Sequence, residues 1–144
     1  MSAVTVFKST QDQLSAPPNG WGDLGGLEVV LPPAQGPQQV VTVLFNAPSL
    51  FIEAVSDMNI GFQVLRYQGR GQPKPTTIAI THALAPAGEK GYRTVSINCC
   101  IPYGDVEGSR IKVIWGAFGQ GTAIINDPAS RGNPGAILTA IMTS

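Results

Sequence analysis

Acid–base and nucleophilic chemistry needs titratable side chains in reach of one another, and this chain offers few candidates. Its single histidine, His82, sits in Ile80-Thr81-His82-Ala83 with no flanking carboxylate. A serine or cysteine nucleophile needs a base, most often histidine, so His82 reads as structural. Paired carboxylates could divide acid and base roles, and Glu53 with Asp57 or Asp105 with Glu107 are the pairs available. Both read more simply as solvated charges in loops. Cys99 and Cys100 are adjacent. Neighbours in a strand point to opposite faces, so two free, mostly buried thiols are expected rather than a bond between them. Neither metal chemistry nor calcium binding has its ligand set: His82 is distant from the cysteines, and Asp105-Val106-Glu107 is a thin cluster. Gly116-Ala117-Phe118-Gly119-Gln120-Gly121-Thr122 has the glycine density of a phosphate loop but lacks its Lys-Ser/Thr ending. A tight turn between two strands is the expectation there. No enzyme activity, cofactor or metal is expected.

Recognition is the remaining class. Nine basic and nine acidic residues leave zero formal charge. The densest basic stretch, Arg66, Arg70 and Lys74, is broken by glycine and proline, so nucleic acid is not expected as a partner. Glu89-Lys90-Gly91-Tyr92-Arg93-Thr94 places planar polar side chains at a strand entrance. Such groups can hydrogen-bond adjacent sugar hydroxyls; a solvated hairpin loop is the plainer alternative. Trp21, in Asn19-Gly20-Trp21-Gly22-Asp23, either stacks a ligand or plugs the end of a sandwich, and plugging is favoured. Trp115 lies in an apolar strand and is expected in the core or a subunit interface.

The elements that must position these residues are strands. The 144 residues fit one domain, 1–144. Seventeen glycines and twelve prolines punctuate runs rich in Val, Ile, Thr and Phe. The runs are Val4–Phe7, Leu27–Leu31, Gln39–Asn46, Leu50–Ala54, Asn59–Tyr67, Thr76–Ala83, Tyr92–Cys100, Arg110–Phe118, Thr122–Asn126 and Ala136–Thr143. About ten strands with frequent turn signals predict an all-β, two-sheet jelly-roll sandwich. One helical turn near Thr10–Leu14 is the only helix expected. No apolar stretch is long enough for a membrane helix, and Met1–Phe7 lacks the form of a signal peptide. With free thiols, a cytoplasmic protein, or one released without a classical signal peptide, is expected.

Alternation separates two kinds of strand. In Tyr92–Cys100, Tyr92, Thr94, Ser96 and Asn98 share a polar face and Arg93, Val95, Ile97 and Cys99 a mostly apolar one. In Gln39–Phe45 both faces are apolar, as they are in Ile111–Trp115 and Ala136–Met142. A two-layer sandwich covers only the inner face. Charged residues make up just 12% of the chain. The uncovered second faces and the scarcity of charge both point to a symmetric oligomer.

The order of three patches adds a resemblance. They are Leu24-Gly25-Gly26-Leu27 with Val43 to Phe51 and Ile60-Gly61-Phe62; Gly91-Tyr92-Arg93-Thr94; and Ile114-Trp115, Gly121-Thr122 and Ile124, closing on Ile137-Leu138-Thr139-Ala140-Ile141. Spanning most of residues 24–142, they resemble the TNF-like (C1q-like) jelly rolls. They are most similar to the fucose-binding TNF-like N-terminal domains of bacterial superlectins. The resemblance implies a homotrimer with shallow glycan sites between protomers. It places an aromatic at Phe51, which has no hydroxyl, a basic residue at Arg93, and a second arginine position near Gln120. With Tyr92, Thr94 and Glu89 these form the candidate ligand-binding set. The expectation is a soluble carbohydrate-binding lectin whose partners are glycans, without membrane insertion. The alternative is a non-catalytic structural or trimerisation module of a capsid, fibre or toxin.

Overall fold

A computed structural model describes residues 3–33, 39–67, 74–102, 109–126 and 135–143. These residues form ten strands and no helix: β1 (Val4–Thr10), β2 (Leu14–Ser15), β3 (Gly22–Val30), β4 (Val40–Ala54), β5 (Met58–Tyr67), β6 (Thr76–Ala85), β7 (Lys90–Pro102), β8 (Arg110–Phe118), β9 (Gly121–Ile125) and β10 (Ala136–Thr143). The helical turn expected near Thr10–Leu14 is absent. Thr10 closes β1, and Leu14–Ser15 form β2 by pairing with Ile125 and Ile124 of β9.

The strands form two antiparallel sheets. Sheet A runs β1-β10-β4-β9-β2, with β7 on the other side of β4, and sheet B runs β3-β8-β5-β6. Only β5 and β6 are both consecutive and paired; elsewhere the chain crosses between sheets or skips a strand. This is the two-sheet jelly-roll sandwich expected from the turn spacing. β10, read as apolar on both sides, lies inside sheet A between β1 and β4.

The runs Gln39–Asn46 and Leu50–Ala54 are one strand, the 15-residue β4. Pro48 does not break it because it sits at a register irregularity between Ala47 and Leu50, the position in a sheet where a missing N–H is tolerated. On one edge β4 pairs with β10 before this irregularity and with β9 after it.

The inward residues interlock the layers. Val41, Val43 and Phe45 of β4 face Ile60, Phe62 and Val64 of β5 and Ile111, Val113 and Trp115 of β8, all fully buried. Ring centroids step from Phe45 to Phe62 at 5.7 Å and from Phe62 to Trp115 at 5.9 Å. Trp115 is thus a core residue. Fully burying side chains of this size contributes roughly 1.5–3 kcal/mol each, so these aromatics anchor sheet B to sheet A.

Candidate functional site

The candidate residues divide among three places. Arg93 and Glu89 form the first. Arg93 has the inward parity of β7 but stands at the open side of the sandwich, where β7 and β6 are the edge strands of the two sheets. One guanidinium nitrogen donates to the carbonyl of Leu84 in β6, and another pairs with the Glu89 carboxylate. Arg93 therefore ties the free edge of β6 to β7. Thr94, its neighbour, points to the other face of β7 and donates to the carbonyl of Pro48 at 3.2 Å.

Arg93 and Thr94 line a cleft of about 300 Å³ together with Thr81, His82, Ala83, Leu84, Val95 and Ser96. The hydroxyls of Thr94 and Ser96 are turned to the outer face of sheet A, toward Pro48 O and Asn46 Oδ1. His82 Nδ1 lies 2.8 Å from Asn59 Oδ1. Thr81 and Ser96 were not among the expected site residues. They line one cleft only because β6 and β7 meet across the two sheets, which no local sequence pattern signals.

Phe51 and Tyr92 form the second place. They are cross-strand partners in β4 and β7, with centroids 5.0 Å apart at 54°, and Tyr92 is half exposed. Both belong to the outer face of sheet A, away from the Arg93 side chain. Gln120 forms the third. It occupies the β8–β9 turn, where its N–H donates to Ser56 Oγ at 2.8 Å and its carbonyl accepts from Val55 and Ser56. Gly119, beside it, has φ +111, a conformation open to glycine but strained for other residues. The glycine-rich run is thus the tight turn expected. Gln120 acts as its lock rather than converging with Arg93.

Trp21 does not plug the end of the sandwich. The segment before it runs along β8: Ala117 N donates to Pro17 O at 2.9 Å, and Gly119 N to Asn19 Oδ1 at 3.2 Å. The indole is laid on the outer face of sheet B, where a Cβ at Gly61 would come within 2.5 Å of its ring. It also packs against Phe118 at 5.4 Å. On the same face Lys112 pairs with Asp23 at 2.8 Å and Arg110 with Glu28 at 2.9 Å. The Asp23 hydrogen bond, aided by nearby negative charge, holds the Lys112 pKa above its ordinary value.

The outer face of sheet A is made differently. Register aligns Phe7, Thr139, Leu44 and Asn98 in one row across β1, β10, β4 and β7, and Thr5, Ile141, Thr42 and Cys100 in the next. A third row holds Ser9, Ile137, Asn46 and Ser96, the last donating to Asn46 Oδ1 at 3.1 Å. None of these side chains is charged. Val40, Leu44, Ile137 and Ile141 are half-buried and Phe7 is 67% exposed. The cysteines are free, as expected, but not mostly buried: Cys100 is exposed on this face and Cys99 half-buried on the other. Burial, and secondarily a negative charge at Cys100, push the Cys99 thiol pKa up.

Among the described residues, no three of His, Cys, Asp and Glu stand together as a metal site, and no helix is long and apolar enough to cross a membrane. Asp105 and Glu107 lie outside the described residues. Glu53 is exposed on β4, and Asp57 accepts the Ala87 N–H at 2.9 Å.

No family model matches the chain, and no curated protein matches it. Several solved structures are similar to it at low identity. A structure of Eiger TNF from S. frugiperda is similar at a TM-score of 0.49 and 9% identity, covering 99% of this chain and 92% of the other. An infectious bursal disease virus (Gx strain) structure is similar at 0.43 and 12% identity; 98% of this chain matches 36% of the viral one. A pilus protein of Bacillus endospore appendages is similar at 0.33 and 8% identity, covering 99% of this chain and 88% of the other. Likeness at these values carries no argument about ligand or assembly.

Proposed function

We propose that this domain is a non-catalytic structural module that assembles with copies of itself through the outer face of sheet A. A homotrimer is the form that the sequence resemblance implies. The observation that carries the proposal is the set of three uncharged rows across the outer face of β1, β10, β4 and β7; the charged pair Glu53 and Lys90 stands beyond them at the far end of β4 and β7. A face that stays in water normally carries charge; here Phe7, Leu44, Ile137 and Ile141 stand among uncharged hydroxyl and amide side chains. Burying the remaining half of an aliphatic side chain contributes about 1 kcal/mol. Association costs about 4–15 kcal/mol in lost freedom. A corner of the face cannot offset that, so the contact should use all four strands.

Sedimentation of the chain at about 10 µM should give a species of three times the 15.1 kDa protomer. Leu44→Lys, which puts a charge at the centre of the face, should give a folded monomer with an unchanged circular dichroism spectrum. A monomeric wild-type protein at that concentration would sink the proposal.

A second reading, glycan binding, is favoured by one observation: the cleft of about 300 Å³ where Arg93 meets Thr81 and His82 of β6. It fits a sugar-sized ligand, and a trimer would supply avidity to weak single sites. A glycan array, fucosides included, should then show binding that Thr81→Val weakens about tenfold without changing the sheet A oligomer. An array with no positive glycan would remove this reading and leave the structural one untouched.

A further inference from the structure

A strand at the edge of a sheet presents unpaired N–H and C=O groups, and proteins blunt such edges with charges, proline or bulges. The other long edge strands follow that rule. β1 carries Lys8, β3 carries Asp23 and Glu28, and β7 carries Lys90 and Arg93 and ends on Pro102. β6 does not. It ends sheet B, runs for ten residues, and has no Lys, Arg, Asp, Glu or Pro. Ile80 and Leu84 stand on its outward side 52% and 63% exposed, and no described strand pairs with its outer edge.

We propose that the free edge of β6 pairs antiparallel with β6 of a second copy, joining two B sheets across a two-fold axis. The occupant is a second copy because two-fold pairing sets the strand against itself. Any charge on it would then meet a like charge near the axis, which is unfavourable in a cross-strand pair. β6, alone among the long described edges, has none to oppose. The register follows from what is already taken at each end. Arg93 occupies the Leu84 carbonyl, and a bulge disturbs the strand between Thr77 and Ala79. The clear stretch is Ala79–Ala83, whose centre is Thr81. An axis there sets Thr81 against Thr81 of the second copy, a favourable cross-strand pair, and Ile80 against His82.

This contact is separate from the one proposed through sheet A and does not depend on it. Alone it is short, in the range of weak and transient interfaces. Between trimers it would be repeated and strengthened by multivalency, turning a closed oligomer into an extended or shell-like assembly.

The test uses Thr81→Cys in a Cys99→Ser, Cys100→Ser background. Paired residues in an antiparallel ladder have Cα atoms about 4.5–5.5 Å apart, within disulfide range. Mild oxidation at about 300 µM should yield a covalent dimer of β6-linked protomers. Thr76→Cys, placed away from the axis, should cross-link at least tenfold less. Without oxidant, sedimentation at the same concentration should show larger species that Ile80→Lys abolishes while the sheet A oligomer persists. Adding Leu44→Lys should leave the Thr81→Cys dimer, which separates this contact from the other. Equal cross-linking at Thr76 and Thr81, or large species unaffected by Ile80→Lys, would overturn the proposal.

Discussion

Over β3, β8 and β5 the outer face of sheet B is covered by its own chain, while across β1, β10, β4 and β7 the described residues leave the outer face of sheet A open. On sheet B, Trp21 lies over Gly61 and against Phe118, Lys112 pairs with Asp23, and Arg110 pairs with Glu28 while stacking 4.6 Å from the Tyr67 ring centroid. Exposed ion pairs like these contribute at most about 1 kcal/mol each, but they keep a face hydrated. On sheet A three rows of side chains cross β1, β10, β4 and β7 with no charge among them. The chain has nine basic and nine acidic residues, and where they fall says more than how few they are. The ion pairs fall on the β3–β8 part of sheet B, and none falls in the three rows of sheet A.

Replacing Gly61 by valine would break the self-covering of sheet B. A Cβ alone would meet the Trp21 ring at 2.5 Å, so the indole must leave. Its packing on Phe118 goes with it. Overpacking of this kind costs about 1–3 kcal/mol. Denaturant melts should show that loss, and tryptophan emission should shift to the red as Trp21 enters water while Trp115 stays buried. The sheet A oligomer should remain intact. Dissociation by Gly61→Val would mean that the two faces are coupled and the contrast between them is not the organising feature.

Most of this contrast was legible before the fold was known, but its location was not. Double-sided apolar patterning in Gln39–Phe45, Ile111–Trp115 and Ala136–Met142 points to faces needing cover; register places the first and last side by side in sheet A, while Ile111–Trp115 lies in sheet B. Trp21 was misplaced because nothing local tells a loop that caps a sandwich from one that runs along a strand. The deciding contacts, Ala117 N to Pro17 O and the space over Gly61, are far apart in sequence. β2 was invisible because two residues have no periodicity; it exists only through β9. The candidate ligand set scattered for the same reason. Tyr92, Arg93 and Thr94 are consecutive, yet strand geometry sends Arg93 to the β6 edge and its neighbours to the outer face of sheet A. The cleft needs β6 and β7, edge strands of different sheets, a proximity that topology alone creates.

The adjacent cysteines sharpen the comparison on a smaller scale, because they report opposite sides of one sheet. Cys100 is exposed on the outer face of sheet A beside Thr42, whose hydroxyl lies 3.9 Å from its sulfur. Cys99 is half-buried on the inner side, and burial raises its thiol pKa. The thiolate is the reacting form, so in a Leu44→Lys monomer Cys100 should be alkylated at pH 8 before Cys99, by about tenfold or more in rate. Assembly through sheet A reverses the advantage of exposure at Cys100 while leaving the surroundings of Cys99 unchanged. Its rate in the wild-type oligomer should then fall at least tenfold below its rate in the monomer, with little change at Cys99. Mass spectrometry of the labelled peptides separates the two sites. Equal Cys100 rates in oligomer and monomer would show that the oligomer forms elsewhere on the molecule, and the uncharged face of sheet A would then need a different partner.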